Sequence, residues 1–344
     1  MIRQKYNNLF YLSMTNKNSL EDVLPVSQGQ RGLSARLKEL VCEWEKDGIK
    51  VEGNFYYLAF KDGQPTEDEF VEFIRSQIIP FCLDRKYYNK MKVKIAENPN
   101  DYQTIHKLAD VSNNLFIKAK KISKKSGEIG EIILFTMLEH FLGAPRVLSK
   151  MNLKTNNNMP VHGSDAIHMS YSQEDKSLYL YWGEAKLYGD LKGALRNIFS
   201  SVKTFHEKDE NGDTDREFDL NLIERNIDLD DSEAEQAFLQ FLDPYSDCYN
   251  DLKEVHACLT VWDADLYKNI TEEEIPEDIF KDKYEKLVSE TCKYIEEKVG
   301  ENGVKHLRFH FLLLPVLKVY DIRKTFYQKL GIAFEEADLV DSDE

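Results

Sequence analysis

The sequence predicts an α/β fold, one mixed central sheet flanked by helices, with an α+β region at its N-terminal side. Three observations predict it: helical periodicity recurs along the chain, short apolar and aromatic runs alternate with it, and two such runs near residues 166–182 read as a hairpin. At 344 residues, with 42% hydrophobic and 31% charged residues, the chain is large enough to bury a substantial core and lies outside the fibrous and low-complexity classes.

The elements follow in order. A periodic helix is expected over Gly32 to Lys46, a strand at Phe55–Phe60, and a helix from Glu67 to Phe81 opened by acidic residues. From Asp84 to Lys125 the chain turns basic, ending in Lys118, Lys120, Lys121, Lys124 and Lys125. A helix then runs from about Ser126 to Leu142, with Ile129, Ile133, Met137, Leu138 and Phe141 at helical spacing and Gly143 at its end. Ala166–Met169 and Leu178–Trp182, separated by polar turn residues, form the hairpin. A helix with Leu191, Ala194, Leu195, Ile198 and Val202 on one face starts after Gly189. Beyond an acidic stretch come a strand at Val255–Trp262, a helix over Glu277–Lys298, a strand at Leu307–Leu314 and a last helix to Leu330. This divides the chain into an N-terminal accessory or partner-binding region (1–110), a catalytic-type domain (111–334) with an acidic insertion (207–235), and an acidic tail (335–344).

Charge bounds the function. The net charge is −16, from 61 acidic and 45 basic residues, which argues against a protein that coats a polyanion. The excess is local, however. Residues 207–235 hold thirteen acids and three bases, residues 335–344 hold six acids and no base, and the remainder carries 42 of each. Both runs read first as a solvated loop and a frayed tail, and second as a mask over a basic surface or a dock for a basic partner. Five scattered cysteines without a C-x-x-C pair suggest neither a zinc site nor a disulfide framework. With no signal-peptide-like or membrane-length apolar run, the expectation is a cytoplasmic protein with no membrane partner.

Nucleotide-binding loops, H-E-x-x-H and G-x-S-x-G are absent. His306 and His310 are four apart in an expected strand, where packed or surface histidines are the better reading. What remains is Gly163-Ser-Asp165 and, nineteen positions on, Gly183-Glu184-Ala185-Lys186. Residues two apart in a strand share a side, so Glu184 and Lys186 point together, and the hairpin brings Asp165 beside Glu184. Two carboxylates, with the carbonyl of Ala185 between Glu184 and Lys186, offer hard oxygen ligands for Mg²⁺. Lys186 is placed to orient or deprotonate a water and to stabilise charge on a phosphate. Glu128 and Glu131 share a helix face and offer a third carboxylate, with Glu131 favoured because it borders the apolar Ile132–Phe135 run. Gly127 and Gly130 would let that helix approach closely. Acid-x-Lys by itself is weak, since Asp84, Glu174, Asp190, Asp251 and Glu296 begin the same triplet; only the copy at Glu184 ends an apolar strand with an aspartate at hairpin distance.

At these residues the sequence resembles the PD-(D/E)xK, or restriction-endonuclease-like, superfamily, and more closely the HamA family, the nuclease subunits of Hachiman anti-phage defence. The matching stretches are Ser126-Gly-Glu-Ile-Gly-Glu131, His162-Gly-Ser-Asp165 and Tyr181-Trp-Gly-Glu-Ala-Lys-Leu-Tyr188 with the helix after it. Gly-Ser stands before Asp165 where the superfamily's name has Pro. The resemblance implies a restriction-endonuclease-like core, metal ligation by Asp165 and Glu184, Lys186 as catalytic lysine, and Glu131 or Glu128 as the helix-borne carboxylate. It further implies a Mg²⁺-dependent deoxyribonuclease, with Mn²⁺ able to substitute, acting on DNA in a heterodimer with a superfamily 2 helicase resembling HamB.

Other residues have plainer readings. The lysines at 118–125 offer a DNA-facing patch or a solvated helix approach. His162 and His168 read as strand-end residues before phosphate contacts, and Trp182 as packing before stacking on substrate. A non-catalytic interaction subunit on the same fold is the alternative from another class. RNA in place of DNA is a third reading.

Overall fold

The computed structural model describes residues 32–40, 50–123, 127–151, 163–229, 231–267 and 276–334. Helix α1 (Leu33–Arg36) leads into strand β1 (Leu37–Leu40), then β2 (Lys50–Leu58), a small β3 (Phe60–Lys61) and β4 (Gln64–Pro65) ribbon, and helices α2 (Glu67–Ser76) and α3 (Ile78–Cys82). Helices α4 (Arg85–Glu97), α5 (Tyr102–Ser123) and α6 (Glu128–Phe141) precede the hairpin of β5 (Ala166–Ser172) and β6 (Ser177–Tyr188). Helices α7 (Leu191–His206), α8 (Asp215–Asn226) and α9 (Ser232–Leu242), strand β7 (Leu252–Asp263), helix α10 (Pro276–Glu301), strand β8 (Arg308–Val316) and helix α11 (Val319–Lys329) complete it.

Six strands form one mixed sheet in the order β1-β2-β8-β7-β6-β5. The β2, β8, β7 and β6 strands run parallel, and an antiparallel strand closes each edge. The central strands read as continuous apolar runs because helices cover both their faces: Val255–Trp262 and Phe309–Val316 are buried throughout. On one face lie α7 and α10, whose Tyr284 meets Phe55 and Trp262. On the other lie α2, α6 and α11, with Tyr56 stacked on Phe141 and Tyr327 bonded to Glu128.

Several expectations are corrected here. Gly32–Lys46 is not one helix: its described part is a single helical turn followed by strand β1, paired with β2. The helix expected from Glu67 to Phe81 breaks at Gln77. The basic stretch after Asp84, for which no element was expected, holds α4 and α5. Because β2 pairs with β8, the region before residue 110 shares the sheet of the later domain. The acidic insertion is not a solvated loop: α8 within it, and α9 that begins in it and runs on to Leu242, bury Leu222, Ile223, Ala234, Ala237, Phe238 and Phe241 with Trp182 and Phe205 in a second apolar cluster. The tail at 335–344 lies outside the described residues.

Candidate metal and phosphodiester site

The hairpin register pairs Ala166 with Gly183, so the next step back sets Asp165 opposite Glu184. The Asp165 amide donates to the Gly183 carbonyl at 2.8 Å. Strand β5 starts at Ala166, while β6 continues to Tyr188. Among the described residues no strand pairs with β6 beyond Gly183 on that side; side chains cap it instead, Asp165 Oδ2 accepting from the Ala185 amide at 2.9 Å and Arg323 donating to the Leu187 carbonyl at 3.1 Å. The Ala185 carbonyl shares this edge, because a strand residue's N–H and C=O point the same way. Gly183 is required by packing, since a Cβ there would lie 2.8 Å from both Ala166 Cβ and Leu134 Cδ2.

Alternation places Glu184 and Lys186 on the α7 face, with Lys186 Nζ 2.9 Å from Glu184 Oε1. Beside them is a cavity of about 300 Å³ lined by Ser164, Asp165, Glu184, Ser201, Asp215 and His256, among others. Burial, and then the neighbouring charge of Asp165, push the Glu184 carboxyl up to about 7, against the pull of Lys186 and Ser201. Burial also works against the Lys186 ammonium, but Glu184 and Asp165 outweigh it and its pKa rises. Lys186 is thus held as a cation, suited to stabilising charge rather than to taking a proton.

Two mutually repelling carboxylates on a polar cavity are a place where a cation relieves strain that one ammonium leaves. Asp165, Glu184 and the Ala185 carbonyl fit Mg²⁺, which takes oxygen donors and keeps several waters. Among the described residues no three His, Cys, Asp or Glu side chains gather into a metal-holding group. The third carboxylate expected from α6 is therefore not supplied. Gly130 explains why: a Cβ there would sit 2.9 Å from Leu187 Cδ1 and 3.3 Å from Ala185 Cβ, so α6 packs on the face opposite Glu184 and Lys186. Glu128 instead accepts from the Tyr327 hydroxyl at 3.0 Å, and both Glu128 and Glu131 are buried. The close approach expected at Gly127 is not seen among the described residues, none of which lies within 4 Å of a Cβ built there.

Of the lysine cluster, Lys118 is exposed on α5. Lys120 is buried, its ammonium over the Tyr327 ring, so it does not belong to a DNA-facing surface. The side chain of Lys121, and Lys124, Lys125 and His162, lie outside the described residues. Buried His168 bonds through Nδ1 to the Ala144 carbonyl at 2.7 Å, and burial pushes its pKa down to about 3. Trp182 packs against Phe205, and its indole donates to Glu254. His306 is exposed in a turn, while His310 is buried beside Asn54 and Glu52.

Sequence reasoning missed the cavity's far wall. Asn197, Ser200, Ser201 and Thr204 line it from α7. Their spacing marks one helix face, a polar stripe beside the apolar one. His256 reaches the wall from β7 and meets His206 at 2.9 Å between Nε2 atoms; burial lowers its pKa to about 3, so it is neutral.

Fold and site together define a mixed-sheet α/β protein carrying an acid, acid and lysine set on the open edge of a hairpin, above a polar cavity. The chain belongs to the HamA family, whose sequence model matches residues 35–330, most of its length. No curated protein matches the chain.

Proposed function

We propose that this chain is a metal-dependent DNA nuclease, the cutting subunit of a Hachiman system held in check by a HamB-like helicase. Membership of the HamA family makes it a Hachiman defence component. The observation that carries the nuclease reading is Asp165 set opposite Glu184, both lining one cavity, with Lys186 Nζ 2.9 Å from Glu184.

Asp165, Glu184 and the Ala185 carbonyl would hold Mg²⁺ or Mn²⁺. A bound Mg²⁺ supplies Lewis acidity toward a phosphate and a more acidic water at the reacting centre. Lys186 fixes the Glu184 carboxylate and places positive charge where phosphoryl charge builds, in a partly dehydrated site that strengthens it. The hydroxyls and amide of the α7 stripe give neutral donors for phosphate oxygens. With the acidic stretch at 207–235 packed into the folded body, its surplus of ten negative charges implies weak DNA affinity for the chain alone, so the helicase supplies delivery as well as restraint.

The complex of both subunits should degrade DNA with Mg²⁺ and ATP. Glu184→Ala combined with Lys186→Ala should abolish cutting while size-exclusion chromatography shows the complex intact. A double variant that cuts like wild type sinks the proposal.

A further inference from the structure

Lys150, Ser164 and Asp219 form a closed polar knot under the turn that presents Asp165. Asp219 is fully buried, Lys150 is 5% exposed and Ser164 is 7% exposed. Lys150 Nζ lies 2.8 and 3.0 Å from the two Asp219 carboxylate oxygens and donates to the Ser164 carbonyl at 2.5 Å. Asp219 Oδ2 in turn accepts from the Ser164 amide at 2.9 Å and the Ser164 hydroxyl at 2.6 Å. Gly163 has φ +89°, and a Cβ on it would stand 2.6 Å from the same carboxylate. The turn is therefore gripped at the amide, hydroxyl and carbonyl of Ser164, and only glycine fits the position before it.

Asp219 comes from the acidic insertion, which is docked on either side of this point. Arg216 pairs with Glu254, the carboxylate that also receives the Trp182 indole. Asp228 pairs with buried Arg146 at 2.8 Å. A buried ion pair contributes little net stability once desolvation is counted, and what it can contribute is one conformation rather than several. Here the conformation is that of Gly163-Ser164-Asp165, directly before a strand whose first act is to set Asp165 against Glu184.

We propose that Asp219, paired with Lys150, is a positioning residue that holds the Ser164 backbone and thereby aims the Asp165 carboxylate at the β6 edge. This rests on the proposed role of Asp165 and extends it to a segment more than fifty residues away in sequence. The insertion is on this account a working part of the site.

Hydrogen exchange of the full chain reads the grip directly. In Asp219→Asn the Ser164 and Asp165 amides should exchange about tenfold faster or more, as expected for losing a charge-assisted bond, while central β7 and β8 amides hold. Mn²⁺ affinity by calorimetry should fall about 10- to 100-fold, the usual consequence of freeing a ligand from its support. Excess Mg²⁺ should restore cutting by the helicase complex of Asp219→Asn but not of Asp165→Ala. Ser164→Ala, which leaves the Lys150 and Asp219 pair intact, should shift each quantity the same way by less, and serves if Asp219→Asn does not fold. Unchanged exchange at Ser164 and Asp165 overturns the inference. So does unchanged Mn²⁺ affinity where Asp165→Ala abolishes it. If Asp165→Ala binds and cuts like wild type, the nuclease reading fails instead, and accelerated exchange still supports Asp219 as the holder of the turn.

Discussion

Two carboxylate pairs lie on opposite faces of the same strand, and their fates differ. Asp165 and Glu184 meet at an open strand edge on the α7 face, beside a cavity and an ammonium. Glu128 and Glu131 lie on α6, packed against the Ala185 and Leu187 face, with Glu128 bonded to Tyr327. The residue type is the same and the sequence spacing equally suggestive. What separates them is the period of a strand: residues 184 and 186 face one layer and 185 and 187 the other. A carboxylate is available for chemistry where the sheet leaves an edge unpaired, and is structural where a helix closes over it.

The sharpest way to break this contrast is substitution at Asp165 against substitution on α6. Asp165→Asn should lower the cutting rate of the helicase complex about 100-fold or more, while Glu131→Gln leaves it unchanged. Equal losses from both in a gel assay would mean that α6 joins the site. Lys186→Met should cost a similar factor in rate with the complex still assembled, since it removes the positive charge held against Glu184.

Packing tests the closed face. Gly130→Val should destabilise the fold by about 1–3 kcal/mol in urea titration, because its side chain meets Leu187 and Ala185. Gly127→Val, with no described residue within 4 Å of its Cβ, should cost far less. Tyr327→Phe removes the hydroxyl from Glu128 and should cost about 1.5–3 kcal/mol without altering cutting.

The smallest expected effect concerns a carboxylate as perturbed as Glu184 but remote from the cavity. Burial, with Asp321, Asp68 and Asp263 nearby, pushes Glu67 up to about 7 from an ordinary 4.5, despite a bond from the Leu317 backbone. The folded state therefore binds this proton more tightly than the unfolded state. Its contribution is fully present below pH 4.5 and is lost as pH rises through 7. Glu67→Gln should raise Tm by a few degrees at pH 8, with the gain shrinking to nothing near pH 4.5 and cutting unaffected.

Much of the working half was legible. The β5–β6 hairpin, α7, β7 and β8 sit where period and turn residues put them, since each is a strong local pattern. The pairing of Asp165 with Glu184 followed from hairpin register alone. The acidic insertion was misjudged because its charge count hid its apolar spacing. Ala234 at its end and Ala237, Phe238 and Phe241 just past it recur at helical intervals, and that pattern was present in the sequence. Strand β1 was misjudged for another reason. Leu33, Leu37 and Leu40 satisfy helical spacing, and only pairing with β2 makes the latter two a strand.

By itself, then, the sequence determined the α/β class and the acid, acid and lysine set, because both rest on local periods and a short hairpin. The tertiary structure alone decided that α6 turns its carboxylates away from the cavity, that Lys186 stays charged, and that Asp219 closes on the Asp165 turn. Each of those depends on which surfaces meet across the sheet, and on charges desolvated together, which spacing along one chain does not encode.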